Sequence, residues 1–264
     1  MKEGYEGWDD YAPFYDWENA RTLGRRDVPF WRTLARQSAG QVLELGCGTG
    51  RISLPLGRSG VSLVGIDRSA QMLARARTRV RRARLSHSVQ LVRGDIRFLP
   101  LPASHVTTVI APYGILQSLL RERDLVATLQ EVRRVLRPGG TFGLELVADL
   151  PSWQEYQKRL SLKGWRKRRG GAHVTLVETV RQDRARRLTI FDQEFTERRG
   201  TNRRVHRFAL TFRTVSVPQM IRRLEKSGFE ITATLGDYRG RAWDERADVW
   251  IILARNPGRT TVLR

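Results

Sequence analysis

The hydrophobic pattern changes character twice along the chain. From residue 40 to about 147, short apolar runs alternate with amphipathic stretches. The apolar runs are Gln41–Leu45, Val61–Ile66, Val89–Val92, Val106–Ile110 and Thr141–Val147. Apolar segments of this length, separated by helical patterns, predict buried parallel strands covered on both faces. Between them a first helix is predicted to begin over Thr49–Gly57, and a second over Gln71–Arg82, with Ser69 placed to cap it. Leu125, Leu129, Val132 and Leu136 share one side of a third helix, which is predicted to stop at Arg137-Pro138-Gly139-Gly140.

After Pro151 the texture differs. A mixed helical stretch is predicted to end in the basic, glycine-containing Lys163–Gly171. Three strand-like runs follow, at about 173–182, 187–198 and 203–215, separated by turn-like Asp183–Arg186 and Arg199–Asn202. His206, Phe208, Leu210 and Phe212 alternate with Arg207, Ala209, Thr211 and Arg213, as a half-buried strand requires. These runs predict an inserted antiparallel meander. Val217–Ser227 then reads as a helix ending at Gly228, and Phe229–Leu235 and Val249–Ala254 return as strands to the main sheet. The N-terminal stretch is aromatic. Trp8, Tyr11 and Tyr15 are spaced for one helix face, which would pack at the domain edge, close over a ligand, or do both.

The chemistry gathers at the predicted strand ends, where ligands of open α/β sheets bind. Glu44 ends the first strand and leads into Gly46-Cys47-Gly48-Thr49-Gly50. Alternate glycines let the backbone bend sharply and approach a ligand closely. Asp67 ends the second strand, Gly94-Asp95-Ile96 follows the third, and Ala111-Pro112-Tyr113 follows the fourth. An acid at the second strand end can accept from two ribose hydroxyls. Asp95 can accept from an adenine amine while the Ile96 N–H meets a ring nitrogen. No lysine stands near the turn to clamp a phosphate. The dinucleotide fingerprint G-x-G-x-x-G is not met, because Arg51 stands where its third glycine would be.

The wording Leu45-Gly46-Cys47-Gly48-Thr49-Gly50, with Asp67 in Gly65–Ser69, Gly94-Asp95-Ile96 and Glu131–Gly140, resembles the class I S-adenosylmethionine (SAM)-dependent methyltransferases. The entry segment Tyr11–Asp16 and the meander are similar to those of small-molecule members. The resemblance implies an α/β, Rossmann-like, mostly parallel seven-stranded sheet with an inserted antiparallel β meander. It implies a lid segment at 1–30, a SAM-binding domain at 31–150 and 216–264, and a substrate-side cap at 151–215. It implies that Glu44, Gly46, Cys47, Gly48, Gly50, Asp67, Arg68, Asp95, Ile96, Ala111 and Tyr15 bind the cofactor, with S-adenosylhomocysteine as product. Tyr113 is a candidate to touch the acceptor or shape the methyl pocket. No further catalytic residue and no metal site is expected: His87, His105, His173 and His206 are scattered without ligand spacing.

Charge leaves a second reading open. The 264 residues carry a net charge of +21, nearly all of the excess from arginine. Arginines crowd residues 75–84, Lys163–Arg169 surrounds Trp165, and Arg198, Arg199, Arg203 and Arg204 flank one turn. Such clusters suit anionic partners, RNA among them. The expected activity is methyl transfer to O, N or C of a small or medium-sized acceptor. The alternatives are an RNA or ribosome methyltransferase and a SAM-binding protein without turnover. Against an adenine amino-methylating enzyme, Ile110–Tyr113 lacks the polar acceptor that such enzymes place before Pro-Pro-aromatic. No secretory leader or membrane span is evident, and the single Cys47 suits a reducing cytoplasm.

Overall fold

The computed structural model describes residues 7–22, 24–37, 39–147, 155–166 and 171–258. Its main sheet has seven strands: β1 (Val42–Leu45), β2 (Leu63–Asp67), β3 (Val89–Arg93), β4 (Val106–Ala111), β5 (Leu136–Val147), β10 (Glu230–Leu235) and β11 (Val249–Arg255). They lie in the order β10-β11-β5-β4-β1-β2-β3. β1 to β5 pair in parallel, and β11 enters antiparallel between β5 and β10. The chain runs outward from β1 through β2 to β3, then returns to β4 on the other side. This opens a crevice at the carboxyl ends of β1 and β4, the place where such sheets bind ligands.

Helices cover both faces. On one, α5 (Glu122–Val135) and α6 (Val217–Lys226) bury Leu125, Leu129, Val132, Met220 and Leu224 against β4, β5 and β11. On the other, α2 (Val28–Arg36) and α3 (Ser53–Arg58) bury Trp31, Leu34 and Leu56 against Val42, Leu63 and Ile110. The cap predicted at Ser69 holds, accepting from the Met72 N–H at the start of α4 (Ala70–Arg82), and the structure adds a reciprocal capping box of Ser216 and Gln219 on α6. Glu122 and Asp124 in the first turn of α5, with Arg133 and Arg134 in its last, complement the helix dipole.

Three expectations shift. α3 begins at Ser53 rather than Thr49, because Gly50 takes a φ of +81° that a helix cannot use. β5 starts at Leu136, directly after α5, with an irregularity opposite Val106–Thr108 that absorbs the Pro-Gly-Gly stop. The stretch predicted as mixed helix is instead β6 (Tyr156–Arg166), at the edge of a four-stranded antiparallel sheet with β7 (Ala172–Asp183), β8 (Leu188–Arg199) and β9 (Asn202–Arg213). Its register shifts between Leu160 and Leu162 break the two-residue alternation that would have identified it, and its basic side chains suit an exposed edge.

The helix α1 (Trp8–Asn19) lies between this cap sheet and the main domain. Tyr11, Phe14 and Trp17 are buried against Ala172, Val174, Leu176 and Phe195, forming a third core. Phe14 and Phe195 have ring centroids 4.5 Å apart. The opposite side of α1 is tied to the main domain by carboxylates. Asp9 accepts from the Ser69 hydroxyl at 2.5 Å, and Asp16 accepts from the Thr49 hydroxyl at 2.6 Å and from Arg79. Within the described residues α1 is therefore an integral wedge between two layers.

Candidate active site

Four strand ends and α1 enclose one cleft of ≈ 360 Å³ at the crevice. Of the residues expected to bind the cofactor, Tyr15, Gly46, Gly48, Asp67, Arg68, Asp95 and Ile96 line it, as does Tyr113. Gly48 has φ +54°, and a Cβ built there would meet nothing closer than 3.9 Å, so this backbone faces open cleft. Gly50 serves differently. Its φ is +81° and a Cβ would lie 2.4 Å from Leu54, so it shapes the rear of the turn.

Asp67 is the best-prepared group. One oxygen accepts from the Gly48 N–H and the other from the Ser69 N–H, both at 2.8 Å. A carboxylate has about four acceptor sites, so each oxygen retains one for a further donor. Burial pushes its pKa above the usual carboxylate range, against the pull of these backbone bonds. A vicinal diol would supply two such donors, and the ribose of SAM fits this demand. Asp95 is different: its oxygens already receive the Arg97 N–H, the Arg97 guanidinium twice and Arg68. An adenine amine would have to displace one of these donors, and of the two arginines Arg68 has the more exposed side chain. Arg97 also reaches Asp124, which fixes the third-strand loop to α5.

Glu44, Cys47, Gly50 and Ala111 are behind the cleft and do not line it. β1 is buried along its whole length, so Glu44 turns into the protein and accepts from the Ser53 hydroxyl at 2.5 Å. Burial raises its pKa to about 8. The Cys47 thiol is buried against Gly65 and its pKa is likewise raised by burial, which removes it as a nucleophile. These residues support the turn from beneath.

Tyr113 sits at φ +56°, an uncommon conformation for a residue with a side chain. Its N–H donates to Glu145 at 2.9 Å, and Glu145 also accepts from the Tyr238 hydroxyl at 2.5 Å. Arg51 stands 5.6 Å from the centre of the Tyr113 ring and is held by a bidentate pair with the fully buried Asp27, at 2.6 and 2.7 Å. Burial pushes the Tyr15 hydroxyl up to about 12 and the Tyr113 hydroxyl upward too, so both remain protonated near neutrality.

Sequence reasoning missed several wall residues. Asp9 comes from α1, beside the Trp8 that the helix-face pattern had marked, Ile115 and Ser118 from a short 3-10 turn after β4, and Phe212 from the cap. The alternation of β9 had marked Phe212 as inward-facing, but nothing local said that it would meet the cofactor crevice. The Asp27–Arg51 and Tyr238–Glu145 links join segments distant in sequence and carry no motif. Among the described residues no group of His, Cys, Asp or Glu is arranged to hold a metal ion, and no helix is long and apolar enough to cross a membrane.

Comparison with known proteins agrees with this geometry. Residues 42–140 match the family model described as a methyltransferase domain. Over 116 residues the chain is 42% identical to a phosphatidylethanolamine N-methyltransferase of Cereibacter sphaeroides, covering 43% of this chain and 55% of the relative. The chain spans about half the length of most curated relatives it matches. Among solved structures, the CcbJ methyltransferase from Streptomyces caelestis superposes with a TM-score of 0.76 at 23% identity, covering 94% of this chain and 97% of that one. The glycopeptide N-methyltransferase MtfA, solved with SAM, is 27% identical with a TM-score of 0.56, covering 88% and 93%. The strand order and the superposition give this chain the fold of the class I SAM-dependent methyltransferases, and the domain match gives residues 42–140 a methyltransferase domain that contains the glycine turn and Asp67.

Proposed function

We propose that this chain transfers a methyl group from SAM to the nitrogen of a small or medium-sized amine. One observation carries the choice of nitrogen. The described cleft wall holds no histidine, and its acids have other partners: Asp9 has Ser69 and Gln71, Asp95 has arginines, and Asp67, held by two backbone N–H groups, would spend its remaining acceptor sites on the ribose. With no base free to deprotonate an alcohol, the wall suits an acceptor that brings its own lone pair. The names of two relatives, which act on an amine-bearing lipid and on a glycopeptide nitrogen, support the same class.

When bound, SAM supplies an electrophilic methyl group on a sulfonium. The chain's part is to bind, orient and exclude water. Asp67 would hold the ribose, the Ile96 backbone the adenine, and the open Gly48 backbone would let the remaining chain of the cofactor lie close. Tyr15, Tyr113, Ile115 and Phe212 would form the dry end of the cleft where the amine enters. The protonated tyrosine hydroxyls offer neutral dipoles and no competing charge. The product ammonium then loses its proton to solvent. This reading sets the reaction in a reducing cytoplasm, where the lone thiol of Cys47 stays free.

The test is methyl transfer from labelled SAM to parallel pools of amines, alcohols and total RNA. Label in the amine pool, with a rate that rises with pH as the acceptor deprotonates, is the expected result. Label confined to alcohols or to RNA would overturn the nitrogen assignment.

A further inference from the structure

The cap sheet has two faces with different chemistry. One packs on α1 through Ala172, Val174, Leu176, Phe195 and Leu210. Because side chains alternate along a strand, their neighbours point the other way. Strand register then aligns rows on that outer face. Trp165 pairs with His173, His173 with Arg198, and Arg198 with Arg203, giving one row across all four strands. The adjacent row is Lys163, Thr175, Thr196 and Val205. Two basic clusters far apart in sequence thus meet at one end of one flat surface.

Exposure and charge give this surface a direction. Trp165 is 64% exposed, and its ring stands edge-on to His173, with centroids 6.4 Å apart. The outer-face ion pairs among the described residues are Arg181–Asp192, Arg207–Glu194 and, at the far turn, Arg186–Asp183, which leave Lys163, Arg198 and Arg203 without an acid. We propose that this outer face docks a single-stranded polynucleotide, with bases stacking on Trp165 and His173 and phosphates meeting Lys163, Arg198 and Arg203.

Stacking planes interleaved with cations are the two elements that sequence-tolerant single-strand binding combines. Arginine adds a planar fork matched to phosphate oxygens. Two other occupants fit less well. A lipid surface takes hold through a broad apolar face, whereas Leu160, Trp165 and Val205 are separated here by threonines and cations. A second copy of this chain would set like charge against like charge. The platform lies on the side of the cap sheet away from α1 and the cofactor cleft, so it would hold a polynucleotide without competing for the cofactor.

The experiment is fluorescence anisotropy of labelled oligouridylate and oligothymidylate of about twelve nucleotides, which suits a site of this width. Wild type is expected to bind, with log affinity falling against log salt at a slope of about −2 for three phosphate contacts. Trp165→Ala should weaken binding by at least about fivefold, and Trp165→Phe should largely retain it. Arg198→Ala with Arg203→Ala should weaken binding and flatten the salt slope. Arg77→Ala with Arg81→Ala, on exposed positions of α4, is the control and should leave affinity within about twofold, as a charge outside the site requires. Cofactor binding by calorimetry should be unchanged in all variants, which also verifies folding. The proposal fails if wild type binds neither oligonucleotide, if the control pair weakens binding as much as the platform pair, or if only phosphatidylglycerol vesicles bind. Stronger binding of the ribo- than the deoxy-oligomer would identify RNA as the partner.

Discussion

The two sheets stabilise their buried acids in different ways. Beneath the cofactor cleft, Glu44 and Glu145 are held by neutral donors, the hydroxyls of Ser53 and Tyr238 and the N–H of Tyr113. In the cap, Glu197 is buried with Arg166 in an ion pair, with His206 at its second oxygen. Neutral donors leave a carboxylate free to take a proton, and burial raises both Glu44 and Glu145 accordingly. An arginine partner fixes the charge instead. The main sheet therefore carries acids that can hold a proton behind the cleft, while the cap carries one whose charge is fixed by its partner.

Breaking the cap pair should have the largest effect. Arg166→Ala would strand Glu197 in the cap core and remove the cation 4.9 Å above the Phe14 ring. A loss of about 3–5 kcal/mol is expected, read as a lowered midpoint in urea. A midpoint within error of wild type would show that the pair is dispensable. On the cofactor side, Asp67→Ala should cost about 1–3 kcal/mol of SAM affinity, because charge-assisted bonds are lost. Calorimetry measures it, and unaltered affinity would remove Asp67 from the ribose role.

Glu44 sharpens the comparison through pH. Its folded pKa, about 8, exceeds the ordinary 4.5, so between these values the native state keeps a proton that the unfolded chain has released. Stability should therefore fall as pH rises through this window, by at most about 1.4 kcal/mol per unit from this group. Glu44→Gln should flatten that fall in a series of thermal melts. If the variant and wild type follow the same pH curve, Glu44 is ionised throughout. The smallest effect is expected at the acceptor end: Phe212→Ala should raise the acceptor KM by about tenfold or less, as loss of part of an apolar wall would. SAM affinity should not change, and a drop in it would reassign Phe212 to the cofactor.

Much of the main sheet was legible because its signals are local. A buried strand, a glycine turn and an acid at the next strand end lie within thirty residues, between Val42 and Asp67. The helix caps at Ser69 and Ser216 were equally short-range, although only the first was anticipated. What escaped depends on distance in space. The donors that saturate Asp95 are ordinary arginines until the loop folds them together. Whether Glu44 faces the cleft or Ser53 is decided by side-chain direction on a strand buried on both faces. The edge strand β6 hid its period behind a bulge, and the placement of α1 depended on the gap between two sheets that no local pattern measures.

That placement has a practical consequence for protein engineering. Asp9 and Asp16 fasten α1 to the main domain, while Tyr11, Phe14 and Trp17 complete the cap's interior. The helix and the cap thus form one exchangeable module, though more than a hundred residues separate them in the chain. A chimaera that imported a foreign cap alone would set new side chains against an unmatched helix. One that imported residues 7–22 together with 155–213 would carry the aromatic interior across, leaving the Asp9 and Asp16 contacts, the packing of Met72 and the Arg213 links to Glu122 and Gln117 to re-form.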